Sequence, residues 1–349
     1  MGRRPVVVIV AAVAALGLAA VPILLALAAP SGLGGLAPAG EATPSGEAIN
    51  EVYWFVFGIC AVVFVLVEAT LVLFILRFRR GPEVAEEVEE VEGPQIHGNT
   101  RLEIIWTIIP AVILVVIAIV VLARSPAVEA TGGDRSNELI VRVEGHQFYW
   151  RYVYPDGEIA LDTLVLPVDR PVTLELTSYD VNHSWWVPDL TGKRDAIPGQ
   201  VNELRFTPQT EGAFDGGCAE LCGILHAVMP TTVEVVSEAQ FADRLQALGG
   251  QDQSGDSQLA LGQATWEASC AKCHGPEGRG DIGPAIVRSG TLVDEEALTT
   301  LLTEGLNNPD VEGYMPPVGR GWPDFQIQAL IEYVRSNEQL APAETGDGR

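Results

Sequence analysis

Three apolar runs in the first third of the chain constrain it more than anything else. Backbone surrounded by hydrocarbon must satisfy its own hydrogen bonds, so a run of this kind crosses a bilayer as a helix. The runs are Pro5–Ala29, about Val52–Leu76 and about Ile104–Ala123, each near the roughly 20 residues a spanning helix needs. The first follows Gly2-Arg3-Arg4 and ends at Ala26-Leu27-Ala28, a small-x-small pattern. Residues 1–40 therefore read as a signal peptide or as an extra N-terminal span. The other two make a transmembrane hairpin over residues 41–127. Arg77, Arg79 and Arg80 close the second run and put the loop to Glu103 on the cytoplasmic side. Everything after Arg124 then lies on the outer face of a cell membrane, a bacterial plasma membrane. Inside the second run, Cys60 reads as a small buried hydrophobe, and Glu68 as a carboxylate facing a partner helix.

The 349 residues carry a formal charge of −25, which excludes nucleic acid as a partner because phosphate binding needs a basic face. Part of that charge is the run Glu83, Glu86, Glu87, Glu89, Glu90 and Glu92, a solvated loop between the two spans.

The exported part divides by pattern. Glu138–Val143, Pro171–Leu176, Val201–Phe206 and Thr231–Val236 alternate with period two between Pro, Gly and Asn clusters. This predicts a β-sandwich with Greek-key connections over residues 128–248. Residues 249–257 are small and polar, a flexible linker of about 17 Å mean span. Residues 258–349 are helical in character, with helices predicted at Leu261–Ala268, Asp294–Leu302 and Phe325–Asn337.

Four of the five cysteines form two close pairs, each followed by a histidine, a pattern of metal or haem chemistry. The first pair lies in Cys218-Ala219-Glu220-Leu221-Cys222-Gly223-Ile224-Leu225-His226-Ala227-Val228-Met229, with His183 upstream. Two thiolates, two imidazoles and a thioether are a soft set suited to copper. Zinc on two cysteines and two histidines is the alternative, and it leaves Met229 unused. The second pair is Cys270-Ala271-Lys272-Cys273-His274, the attachment signature of a c-type haem: two thiols for the vinyl groups and a histidine for iron. Met315, in Met315-Pro316-Pro317, follows about 40 residues later as a candidate second ligand to iron, and His/Met ligation suits an electron carrier.

The first loop resembles the dinuclear copper (CuA) motif of cytochrome c oxidase subunit II in the haem–copper oxidase family, Cys-x-Glu-x-Cys-Gly-x-x-His-x-x-Met. The resemblance runs from about Glu51 to Ser237. It implies a two-helix hairpin carrying a cupredoxin-like sandwich, to which the second motif adds an all-α class I cytochrome c domain. By this likeness Cys218 and Cys222 bridge two coppers, and His183 and His226 each bind one. Met229 and the Glu220 carbonyl bind weakly, and the Glu220 carboxylate resembles a ligand to magnesium shared with subunit I. Gly145-His146-Gln147-Phe148-Tyr149-Trp150 resembles the aromatic segment through which electrons approach copper, with Phe148 where tryptophan is usual. Lys193–Gly199 resembles a segment facing subunit I. Glu103 matches a position at the mouth of a proton channel, and Gly283-Pro284 resembles the cytochrome c segment packed on the proximal imidazole.

The implied function is that of the subunit through which electrons enter a proton-pumping terminal oxidase. Electrons pass from haem c to the copper pair and on to subunit I, where oxygen is reduced to water. Partners are subunit I, subunit III, and a donor complex or a soluble cytochrome c. The five histidines, His97, His146, His183, His226 and His274, leave no oxygen-reducing site in this chain. The alternative is the small subunit of a CuA-containing nitric oxide reductase. A copper-delivery protein would need no haem, and quinol-oxidizing relatives lack the copper ligands.

Overall fold

The computed structural model describes residues 42–78, 98–128, 137–249, 255–307 and 314–341. The N-terminal segment 1–40, the acidic run 83–92 and most of the linker lie outside the described residues. The chain forms two compact units. Among the described residues, 48–126 belong to the first, and 42–47 with 127–341 to the second.

The first unit holds helices α1 (Pro44–Phe78) and α2 (Thr100–Val128), both long and apolar enough to cross a membrane. Each outruns its apolar core, because helical hydrogen bonding continues through the polar flanks. Asn99 caps α2 by accepting the N–H groups of Arg101 (3.2 Å) and Leu102 (3.3 Å). The Glu103 carboxylate accepts the Asn99 N–H at 3.2 Å, so its visible contact is a reciprocal helix cap. Cys60, predicted to be buried, is exposed on the hairpin, since two helices alone enclose little interior. Glu68 is exposed as well.

In the second unit two five-stranded sheets face each other. With β1 Leu139–His146, β2 Tyr149–Val153, β3 Ile159–Leu161, β4 Thr163–Pro167, β5 Val172–Ser178, β6 His183–Trp186, β7 Arg194–Ala196, β8 Asn202–Phe206, β9 Gly212–Cys218 and β10 Pro230–Val236, the orders are β3-β2-β1-β5-β8 and β4-β10-β9-β6-β7. Pairing is mixed: β1 runs parallel to β5 and β4 to β10, the other neighbours antiparallel. Val141, Val143, Tyr152, Leu164, Leu174, Trp185 and Val233 fill the space between the sheets. Burying each large apolar side chain contributes about 1.5–3 kcal/mol. The segment before α1 joins this unit: Ala42 accepts the Gln209 N–H at 2.8 Å, and the Thr43 hydroxyl donates to the Leu190 carbonyl. Helix α3 (Glu238–Leu248) follows β10 behind a Ser237/Gln240 capping box and inserts Phe241 into the sandwich core.

The helical region has α4 (Asp256–Thr265), a five-residue π-turn (Trp266–Cys270), α5 (Ala271–His274), α6 (Glu295–Glu304) and α7 (Asp324–Ser336). Helix α4 crosses α7 at Gly262, where an added Cβ would lie 2.1 Å from the Ala329 carbonyl oxygen. Trp266, Leu298, Leu302, Leu330, Ile331 and Val334 form its core, and Tyr149 from β2 belongs to that same core. Ile159 of β3 packs with Leu261 and Ala329. The helical region is thus seated on the edge of the sandwich, more closely than a tether alone would require.

Candidate metal centre and haem site

The loop between β9 and β10 is closed by the ladder that flanks it. Gly217 pairs with Pro230, and the Cys218 N–H donates to the Met229 carbonyl at 3.0 Å. The Ala219 N–H donates to the Ser184 carbonyl at 2.7 Å, tying the loop to β6, where His183 begins the strand. This brings the predicted donors together. Cys218 Sγ lies 3.8 Å from Cys222 Sγ and 3.8 Å from His183 Nδ1. Cys222 Sγ lies 3.7 Å from His226 Nδ1 and 3.8 Å from Met229 Sδ. The Glu220 carbonyl oxygen is 3.2 Å from Cys218 Sγ, while its carboxylate is on an exposed residue. Both thiols are free, their sulfurs too far apart for a disulfide. Six donor atoms converge with no other purpose between them, and the donor chemistry fits a soft metal.

The electrostatics point the same way. The contact with the Cys222 sulfur drives Cys218 far below the usual thiol range, and the same contact together with burial drives Cys222 up. His183 is buried, and its Nε2–H donates to Asp180 Oδ1 at 2.8 Å, which leaves Nδ1 toward the sulfurs. Burial works against a proton on His183, but Asp180 and Cys218 outweigh it and raise its pKa. Asp180 also accepts the Gln147 N–H at 2.6 Å. Holding a ligand's distal nitrogen in this way fixes tautomer and ring orientation. Asp180 escapes a motif search, although a carboxylate three residues before a ligand histidine is a usable signal.

The aromatic segment lies against this loop. Gln147 Nε2 donates to the Cys222 carbonyl. Gly223 has φ +137°, and a Cβ there would sit 2.9 Å from the Phe148 ring, so only glycine permits the approach. Phe148 is 5% exposed, and Tyr149 and Trp150 are fully buried. The Tyr149 hydroxyl donates to the Val318 carbonyl (2.6 Å) and accepts Trp322 Nε1–H (2.7 Å), and burial pushes its pKa well up. Behind it sits a buried polar group: Glu144 and Arg151, which no motif marks, are paired, and His146 of the aromatic segment is stacked on Tyr149 at 4.9 Å.

At the second site His274 Nδ1–H donates to the Pro284 carbonyl at 2.7 Å, so Nε2 is left for a ligand. A Cβ on Gly283 would lie 2.9 Å from His274 Nδ1, so Gly283-Pro284 does pack on this imidazole. Burial raises Cys270 to about 11 and raises Cys273 too. Neither is a ready thiolate, which disfavours a redox dithiol. Met315 pairs with Leu306 across a two-residue ladder and packs on the helical core. These residues fit a covalent haem.

Three family models match. Residues 23–123 match the transmembrane domain of cytochrome c oxidase subunit II, residues 158–236 its periplasmic domain, and residues 257–334 the cbb3-type subunit III of cytochrome c oxidase. Cytochrome c oxidase subunit 2 of Alkalihalophilus pseudofirmus is 31% identical over 298 residues, covering 80% of this chain and 84% of that protein. The Cereibacter sphaeroides protein of the same name is 34% identical over 250 residues, covering 60% and 79%. Among solved structures, the periplasmic domain of subunit II (CoxB) of Bradyrhizobium japonicum is 33% identical, covering 32% of this chain and 92% of that one, with TM-score 0.31. The matched domains imply copper in the sandwich, haem c in the helical region and a subunit I partner. With two spans, a cupredoxin-like sandwich and a cytochrome c domain, this membrane-anchored oxidoreductase subunit belongs to the cytochrome c oxidase subunit II family.

Proposed function

We propose that the chain is the subunit through which electrons enter a proton-pumping terminal oxidase, passing them from a covalent c-type haem to a dinuclear copper centre and on to subunit I for reduction of oxygen to water. The observation that carries this reading is the convergence of Cys218, Cys222, His183, His226, Met229 and the Glu220 carbonyl in one loop cluster. The copper pair would supply one-electron storage with little change of geometry.

The residues supply the rest. Cys218, Cys222, His183 and His226 would hold the copper pair, with Met229 and the Glu220 carbonyl as weaker donors. Cys222, Met229 and His183 are buried, and Cys218 and His226 are half-buried at the rim of the cluster. The β9–β10 ladder and the Cys218 N–H bond to the Met229 carbonyl close the loop that carries the ligands, the kind of support low reorganisation requires. Cys270 and Cys273 would hold the haem covalently, and His274 and Met315 would hold its iron. The exposed Leu221 (77%) and Ile224 (86%) at the loop tip form an apolar surface suited to subunit I. The Glu220 carboxylate is assigned to a magnesium shared there, and Glu103 to a proton-channel mouth. The basic residues after α1 support both redox domains lying on the outer face. Subunit III and an external electron donor complete the assembly.

The test is absorption and electron paramagnetic resonance of the purified full chain, matured with haem and loaded with copper. A seven-line copper hyperfine pattern beside a low-spin haem c spectrum is expected. A silent or four-line copper signal would overturn the dinuclear assignment.

A further inference from the structure

The haem-attachment motif leaves its two inner positions free, yet one of them carries the most connected lysine of the described residues. Lys272 Nζ donates to Asp162 Oδ2 at 2.6 Å and to the Phe148 carbonyl at 3.0 Å. Its side chain is only 18% exposed. Asp162 is a prepared socket. Its N–H donates to the Trp150 carbonyl (2.9 Å), its carbonyl accepts the Thr232 N–H (2.9 Å), and Oδ1 accepts the Trp150 N–H (2.9 Å). Oδ2 is what remains, and it faces Lys272. The residue holds φ +55°, a left-handed conformation that costs a non-glycine residue energy. Burial raises the Asp162 carboxyl and the Lys272 charge opposes it, so the pair is mutually dependent.

A second fastening lies on the other side of the haem region. Beyond Met315, Val318 and Trp322 hold the Tyr149 hydroxyl, and Arg320 Nη1 donates to the Tyr179 carbonyl at 3.2 Å. The attachment loop and the Met315 segment therefore grip the same short stretch of sandwich. Its opposite side touches the copper loop, through Gln147 on the Cys222 carbonyl and the Phe148 ring over Gly223. Two residues, Gln147 and Phe148, separate the lysine of the haem motif from the carbonyl of a copper ligand.

We infer that Lys272 is a positioning residue whose grip on Asp162 and the Phe148 carbonyl docks the cytochrome domain as a fixed bridge onto the copper loop. The inference rests on the two-centre function proposed above. It means that the aromatic segment is occupied by the chain's own cytochrome domain. A soluble cytochrome then delivers to that domain and does not reach Phe148. The step served is a single-electron transfer: one ferrous haem becomes ferric, the oxidised copper pair gains one electron, and no bond forms or breaks. The reductant upstream is an external one-electron donor protein.

The test uses the full chain with both centres, as wild type and as Lys272→Met, Asp162→Asn and Lys272→Arg. Two readouts are taken: hydrogen exchange of amides 147–150 and 318–322, and the haem-to-copper transfer rate after flash photoreduction. Losing charge-assisted hydrogen bonds of this kind shifts an equilibrium by about tenfold or more. Lys272→Met and Asp162→Asn are expected to speed exchange by about that factor. Transfer should slow comparably and become viscosity-dependent, while Lys272→Arg largely restores both. Haem spectrum and copper hyperfine pattern should stay as in wild type. Unchanged exchange and unchanged rate in both neutral variants, with both centres intact, overturn the inference. If the wild type lacks either centre, the two-centre function fails instead, and exchange alone decides the docking.

Discussion

Replacing Tyr149 by phenylalanine removes one oxygen and leaves the ring in place. That oxygen bridges two groups of the cytochrome domain, accepting Trp322 Nε1–H at 2.7 Å and donating to the Val318 carbonyl at 2.6 Å. Tyr149 is fully buried, and Val318 and Trp322 are 6% and 7% exposed, so water does not replace the lost partner. A stranded buried donor or acceptor costs about 1–3 kcal/mol, and two of them about 2–6 kcal/mol together. At about 1.4 kcal/mol per tenfold, local opening of the segment should rise about 30-fold or more. The assay is hydrogen exchange at Val318, Gly319 and Trp322, whose N–H groups bond to Pro316, Leu302 and Gly319. A cycle with Trp322→Phe isolates the pair: the double variant strands only the Val318 carbonyl and should cost about 1 kcal/mol less than the sum of the singles. Protection in Tyr149→Phe within about threefold of wild type would refute the reasoning, because a change that small corresponds to well under one lost hydrogen bond.

Three further outcomes follow from other sites. Cys222→Ser removes a sulfur that lies within reach of Cys218, His226 and Met229; bound copper measured by atomic absorption should fall from two ions to one or none, with a four-line signal, and haem should be unaffected. Gly262→Ala drives a methyl group to 2.1 Å from the Ala329 carbonyl oxygen and 2.7 Å from Tyr333 Cβ. It should destabilise the cytochrome domain by about 3 kcal/mol and lower covalent haem yield on gels, with the copper spectrum retained. Glu144 is buried, which would raise its pKa, but His146 and Arg151 overcome this and hold it below its ordinary 4.5. A depressed carboxylate contributes stability above its ordinary pKa and loses it as pH falls through the depressed value. Glu144→Gln should therefore be less stable at neutral pH, and its urea midpoint should fall less steeply below pH 4.5. The difference in slope is up to about 1.4 kcal/mol per pH unit; identical slopes would rule the pair out as an acid sensor.

The membrane hairpin, the sandwich and the cytochrome domain are legible from hydropathy, spacing and motif likeness, and the copper-loop side chains that the fold brings together stand in one contiguous motif with His183 outside it. What is not legible is pairwise and distant. Lys272 meets Asp162 and Phe148 across 110 and 124 residues; Lys272 and Phe148 stand in recognisable motifs, but nothing local marks Asp162 or the pairing. The strand predicted at Glu138–Val143 runs instead over Leu139–His146. Its alternation stops at Val143, where every following residue is buried, since β1 there ends beneath the seated cytochrome domain. Cys60 failed for the opposite reason: apolar neighbours in sequence do not make an interior when the surroundings are lipid or another subunit.

The π-turn at Trp266–Cys270 sets an angular phase. An α-helix turns about 100° per residue, and one extra residue in a wide turn shifts everything after it by that angle. The turn keeps Trp266 in the core, its Nε1–H on the Pro276 carbonyl at 2.9 Å, and hands Cys270 and Lys272 onward in the rotation that faces the sandwich. Forcing Trp266–Cys270 into a regular helix with no residue removed would leave the chain equally long and equally apolar, and it would turn the attachment cysteines and their lysine about a quarter of a circle away from Asp162.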